Sequence, residues 1–222
     1  MRQKKFTVLF IFWLLVFNCA NAQDTTKTTK IKPPVSVEFL VGNNRLFSQI
    51  NFNKPITENR KLGFLNVSAF AADYENNISK SEYLNFSALY YKIARGFSVN
   101  AGATFNTAEG LKPLLGIQYA YADKNFSILC LPAYYFSHSY KIFNLLIVEY
   151  RPKIKMQWYA YSKLQANYQY DIENNSHFRS FLYLRLGASY KNFTFGAGAN
   201  LDRYGAKKLF KENYGLFVKL NL

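Results

Sequence analysis

Between residues 181 and 202 the chain reads FLYLRLGASYKNFTFGAGANLD, and its apolar and polar positions alternate almost without a slip. Leu182, Leu184, Leu186 and Ala188 share one parity, Arg185, Gly187 and Ser189 the other. After Lys191-Asn192 the pattern resumes, with Phe193, Phe195, Ala197, Ala199 and Leu201 set against Thr194, Gly196, Gly198, Asn200 and Asp202. A period of two means two extended strands joined by a tight turn, which pairs residue 190 with 193 and sets Arg185 opposite Gly198. The same period runs through 35–42, 45–53, 62–72, 83–94, 97–106, 114–122, 126–136, 142–151, 155–167, 178–190, 193–202 and 213–222. That predicts about twelve strands and no amphipathic helix, because the apolar spacing stays at two.

Connections differ in length. Short ones fall at Arg95-Gly96, Asp123-Lys124-Asn125, Arg151 to Ile154 and Lys191-Asn192, and longer polar ones at 73–82, 107–113, 137–141, 168–177 and 203–212. Such alternation is expected of an up-and-down sheet with tight turns at one end and loops at the other. Most strands have the roughly 9 to 11 residues that cross a bilayer with tilt. With no helix to cover an apolar face, an even, closed barrel is the arrangement that removes every edge. The more polar parity, for example Ser98, Asn100, Gly102, Thr104 and Asn106, suits a narrow lumen. Aromatics gather near strand ends, at Tyr119, Tyr121, Tyr134, Phe136, Tyr150, Tyr190, Phe193 and Tyr214, as interfacial girdles do.

The expectation is therefore an all-β transmembrane up-and-down antiparallel barrel turned inside out relative to a soluble protein. Leu182, Leu184, Leu186, Phe193 and Phe195 face lipid. Glu38, Glu149, Arg151, Lys163, Arg179, Arg185, Asp202 and Lys219 point into the lumen, where a charge can pair or meet water. Glu38 and Lys219 fall at similar depth on the first and last strands, which predicts a cross-strand ion pair at the seam. Tyr159, Tyr161, Phe181 and Tyr183 narrow the same interior. Pro132 lies inside a predicted strand and requires a bulge or a missing ladder bond.

The N-terminus sets the compartment. Arg2, Lys4 and Lys5 precede an apolar stretch from Phe6 to Phe17 and the small-residue end Ala20-Asn21-Ala22, so residues 1–22 read as a secretory signal peptide. A flexible periplasmic leader, 23–34, and a barrel, 35–222, follow. Removal of the signal leaves Cys130 alone, which excludes an intrachain disulfide and a thiolate metal cluster. It also takes the formal net charge from +15 to about +12. Lys and Arg are spread over loops, turns and one strand face rather than clustered, so an anionic lipid surface fits better than nucleic acid.

Signal peptide, alternating strands and the last strand NYGLFVKLNL together make residues 35–222 resemble bacterial outer-membrane β-barrel proteins. The Asn-, Lys- and Tyr-rich composition is similar to that of Bacteroidota surface proteins. The resemblance implies outer-membrane lipid, lipopolysaccharide included, and the barrel-insertion machinery as partners. That machinery commonly reads a final strand ending in an aromatic, and this one ends in Leu222. It implies an architecture and not an activity. The leading expectation for function is a small pore or binding channel whose charged lumen selects small anionic solutes. The alternatives are a plugged barrel that acts in adhesion or assembly through its loops, and a lipid-modifying enzyme of the outer-membrane phospholipase kind.

Candidate chemistry adds little to this. GAGANLD lacks the third glycine and the following helix of a dinucleotide loop. Outer-membrane phospholipases place His and Ser two apart on one strand, whereas Ser137-His138-Ser139 are adjacent and His177 and Ser180 are three apart. His138 and His177 read as polar loop residues near strand ends, and no metal, cofactor or catalytic site is expected.

Overall fold

The computed structural model of the chain describes residues 35–75, 77, 80–136 and 140–222. The expected signal peptide, 1–22, and leader, 23–34, lie outside the described residues. The strands are β1 (Ser36–Gly42), β2 (Arg45–Pro55), β3 (Leu62–Asp73), β4 (Glu82–Lys92), β5 (Phe97–Asn106), β6 (Gly110–Ala122), β7 (Phe126–Tyr135), β8 (Lys141–Tyr150), β9 (Lys153–Lys155), β10 (Trp158–Asp171), β11 (Ser176–Tyr190), β12 (Phe193–Tyr204) and β13 (Leu209–Asn221). β9 is a stub folded against the start of β10. The other twelve each pair antiparallel with two neighbours, and β1 closes on β13. Seven residue pairs make that seam, from Ser36 with Asn221 to Gly42 with Gly215. Among the described residues these twelve strands leave no unpaired edge, and Ser36 and Asn221 lie at the same end of the cylinder.

Parity runs as the alternation predicts. On β11, Arg185 is 2% exposed between Leu184 and Leu186, the latter 70% exposed. On β1, Glu38 and Leu40 are buried while Phe39 and Val41 are exposed. A cylinder with leucines and aromatics outside and charges inside is stable only where its outer solvent is hydrocarbon.

The connections correct the predicted contrast of long loops and short turns. At one end they are 43–44, 74–81, 107–109, 136–140, 172–175 and 205–208. At the end carrying the termini they are 56–61, 93–96, 123–125, 151–157 and 191–192. Residues expected in loops belong to strands instead: β6 begins at Gly110, β10 runs to Asp171 and β13 begins at Leu209. The reason is chemical. Lys112, Lys141 and Gln169 are polar but buried, because partners inside the barrel hold them, so polar runs that look like loop continue as ladder.

Local chemistry explains the irregularities. Asp123 closes its turn by accepting the N–H groups of Asn125 (2.8 Å) and Phe126 (2.7 Å). Burial pushes its carboxyl up, but those donors and the Tyr121 hydroxyl outweigh it and hold the group below its usual range. Opposite Pro132 the β6–β7 ladder is interrupted between Gly116 and Tyr119 with no change of register, which makes it a missing ladder bond and not a bulge. A real bulge lies at the loop end of β11: Gln169 pairs with Arg179 and Tyr170 with His177, so Phe178 is the extra residue. Gly187 and Gly196 face each other, and a Cβ on either would lie 2.0 and 2.1 Å from the carbonyl oxygens of Phe195 and Leu186. Only glycine allows the two strands to approach so closely there.

The interior is filled. Leu65, Val67, Phe86, Leu114, Leu131, Phe143 and Leu145 build an apolar wall from β3 to β8, and Leu40, Phe47, Tyr161 and Phe217 meet it. Rings from strands that are not neighbours touch across the lumen: Phe86 stacks on Phe143 with centroids 5.6 Å apart, and Phe47 meets Tyr183 edge-on at 5.2 Å. Most of the inward charges lie on β1, β2 and β10 to β13, with Glu82, Lys112, Lys141 and Glu149 near the ends of β4, β6 and β8.

Candidate functional site

Inward parity places charged side chains from β1, β8, β10, β11 and β13 at one level. Arg185 sets Nε and Nη2 each 2.8 Å from one oxygen of Glu38, and Lys163 Nζ lies 3.5 Å from the other. Arg185 Nη1 also donates to Asn200 Oδ1 at 2.8 Å and to the Leu184 carbonyl at 2.9 Å. Gly198 makes this possible, since a Cβ there would meet Arg185 Cδ at 2.8 Å and Leu40 Cδ1 at 2.6 Å. Lys219 Nζ donates to Glu149 Oε1 at 2.7 Å and to the Tyr161 hydroxyl at 3.1 Å, while that hydroxyl donates to Glu149 at 3.0 Å. Beside them Gln49 Nε2 donates to Gln165 Oε1 at 2.9 Å, a bond between β2 and β10 across the lumen.

A second cluster sits near the loop end. Arg45 donates to Asp202 at 2.5 Å and to Glu82 at 3.3 Å, and Arg179 Nη2 lies 3.2 Å from each of the same two carboxylates. Tyr204 donates to Glu82 at 2.6 Å, Tyr183 to Asp202 at 3.2 Å and Lys211 to Glu82 at 3.1 Å. A third joins Lys112 and Lys141 on the Glu109 carboxylate, with the Lys141 ammonium 3.4 Å from the centre of the Phe178 ring.

In both larger clusters three cations meet two carboxylates: Arg185, Lys163 and Lys219 with Glu38 and Glu149, and Arg45, Arg179 and Lys211 with Glu82 and Asp202. Among the described residues the buried polar atoms without a hydrogen-bond partner include donors, Nε of Arg45, Nε of Arg179 and Nδ2 of Asn200, and acceptors, Oε1 of Gln49, Oδ1 of Asn100 and Oε2 of Glu109, alike, so the excess lies in the cations. Chemically, such a wall receives an anion more readily than a cation.

Of the predicted residues, Glu38, Glu149, Lys163, Arg185 and Lys219 therefore come together, while Arg179 and Asp202 belong to the cluster near the loops. Arg151 joins neither. It follows the last residue of β8 and lies over the Tyr159 ring at 5.8 Å. The expected contact between Glu38 and Lys219 is also replaced: the two are register partners, but each bonds across the lumen to other strands. Sequence reasoning missed Arg45, Glu82, Glu109, Lys112 and Lys141. Arg45 carried a signal, sharing its parity with the buried Phe47 and Gln49, whereas Glu109 and Lys112 sat in a presumed loop. His177 is likewise a strand residue and not a loop one, and His138 lies outside the described residues.

No protein-family model matches the chain, and no curated protein matches it in sequence. Among solved structures it is similar to the NanC porin, at 12% identity and a TM-score of 0.49, and to the KdgM porin, at 11% and 0.44. Each likeness covers 85% of this chain and 98% of the porin. It is also similar to OmpT, an outer membrane protein of Vibrio cholerae, at 10% identity and a TM-score of 0.38 over 86% of this chain and 95% of that one. Two of these are porins and the third an outer membrane protein by name, and the likeness is one of overall shape. The closed barrel itself rests on the strand pairings described above.

Proposed function

We propose that the protein is an integral outer-membrane barrel acting as a narrow channel or binding barrel for small anionic solutes. The observation that carries the reading is the lumenal wall in which three cations meet two carboxylates at each of two levels, one beside the loops and one deeper. Opposite that wall the lumen is packed with buried apolar side chains. An anion therefore moves by exchange, displacing Glu82 or Asp202 from Arg45 and Arg179 and then Glu38 from Arg185. Each such exchange gives the guanidinium a new charge-assisted bond, while the displaced carboxylate keeps another cation, Lys211 for Glu82 and Lys163 for Glu38.

The chain is exported by a cleaved signal peptide, residues 1–22, and seated with its turns toward the periplasm and its loops outward, as in other barrels of this class. Its composition supports a source among bacteria of the Bacteroidota kind. The short connections at the loop end, of which 74–81 is the longest, offer little surface for adhesion and weigh against that alternative.

Liposome swelling tests the reading. Vesicles carrying the folded protein are expected to take up small carboxylated solutes faster than neutral solutes of equal size. Equal rates for both, or no uptake of either, contradict the proposal.

A further inference from the structure

The bulge at Phe178 changes which residues of β11 share a face. In an unbroken strand residues 177 and 180 point to opposite sides, but one extra residue shifts the parity and brings both onto the outer wall. Their ladder partners agree: His177 faces Tyr170, and Ser180 faces Tyr168 on β10 and Arg203 on β12, all on the parity of the exposed Leu164 and Leu184. There the His177 ring, 7% exposed behind the half-buried Ser180, lies with Nε2 3.0 Å from Ser180 Oγ and Nδ1 2.8 Å from the carbonyl oxygen of Gly205. A carbonyl can only accept, so the neutral ring carries its proton on Nδ1 and leaves Nε2 to accept from the serine hydroxyl. Nucleophile, base and orienting group thus stand in the order that activates a serine, with a main-chain carbonyl in the third place.

The surroundings point to the class of substrate. Arg203 sits opposite Ser180, where facing Cβ atoms are about 5 Å apart. It is exposed and has no ion-pair partner among the described residues, its guanidinium lying over the Phe210 ring at 5.9 Å. Tyr168 on the other side is 46% exposed and packs against the His177 ring at 5.8 Å. A free cation and amphipathic rings near the end of a membrane barrel mark the level of lipid headgroups and ester linkages.

We infer that Ser180 and His177 form a nucleophile and base for acyl esters of membrane lipids, on the outside of the barrel and independent of the lumen. Ser180 Oγ bonds to the ester carbonyl carbon while its proton passes to His177 Nε2. Collapse of the intermediate breaks the bond to the alcohol, which leaves with that proton. A water molecule, deprotonated by Nε2, then cleaves the acyl-serine, releases the fatty acid and restores both side chains. Arg203 is placed to hold the headgroup phosphate.

The test uses the full chain folded in detergent micelles, with folding of every variant followed by its heat-dependent gel mobility. A fluorophosphonate probe is expected to label Ser180, and p-nitrophenyl esters and phosphatidylethanolamine micelles to be hydrolysed. Ser180→Ala abolishes labelling and lowers hydrolysis by about 100-fold or more, and His177→Gln does the same while keeping the hydroxyl. Arg203→Gln raises KM for the phospholipid and leaves that for the uncharged ester unchanged. A folded wild-type protein that neither labels nor hydrolyses, or a Ser180→Ala protein that still does both, overturns the inference and leaves His177 as a brace for the 205–208 connection.

Discussion

Glu38 and Lys219 are register partners across the seam that closes the barrel, and neither is the other's ion partner. Glu38 bonds to Arg185 at 2.8 Å, and Lys219 bonds to Glu149 at 2.7 Å. The charges of this deep cluster are thus satisfied across the barrel and not along its wall, so the seam depends on its backbone ladder and the cross-section on its ion pairs.

The ladder can be tested without disturbing the charges. Phe39 and Val218 are register partners on the outer face, about half exposed. Cysteines at both positions, with Cys130 replaced, lie within disulfide reach of each other. Oxidation in membranes is expected to give a fast-migrating monomer with no dimer. Crosslinks only between chains contradict a single-chain barrel.

Outward placement of the apolar parity predicts a specific cost. Leu184 lies midway along β11, and Leu184→Arg is expected to lose about 2 to 4 kcal/mol in denaturant unfolding from phospholipid vesicles. An unchanged midpoint means that this face is not in lipid.

The strand count and the inward parity of Arg185, Lys163 and Glu38 were legible in the sequence because period two survives whatever lies outside the sheet. The partners were not. Which carboxylate an inward arginine meets depends on strands far apart in sequence, as with Arg185 and Glu38, and no local pattern encodes that distance. Near the loops the reading was partial for a different reason: parity placed Arg179 and Asp202 inward, but Glu82, Glu109 and Lys112 look like solvated loop when their buried partners are unknown. The bulge at Phe178 defeated parity outright, and with it the pairing of His177 and Ser180.

Breaking the deep cluster separates its two roles. Glu38→Gln strands two buried cations, Arg185 and Lys163, whereas Arg185→Gln leaves Glu38 with Lys163. The first is expected to be the more destabilising, by about 3 to 5 kcal/mol for an uncompensated buried charge. The two also shift selectivity in opposite directions, toward anions for Glu38→Gln and away from them for Arg185→Gln, read as reversal potentials under a salt gradient. Equal shifts, or none, remove this cluster from the selectivity pathway.

Close approach of β11 and β12 makes Gly187 intolerant of any side chain. Gly187→Val is expected to lower the yield of folded, heat-modifiable barrel sharply, because its Cβ would sit 2.0 Å from the Phe195 carbonyl oxygen. Gly205→Ala, at a positive φ of 67° with nothing near its Cβ position, is expected to cost only backbone strain. Similar yields for the two contradict the close approach.

Single-channel recording of the purified barrel in a planar bilayer tests the central claim most directly. The account predicts small ohmic steps whose reversal potential in a salt gradient has the sign of anion preference, moving toward zero in Arg185→Gln. A folded barrel that stays silent, or that passes cations in preference to anions, contradicts it.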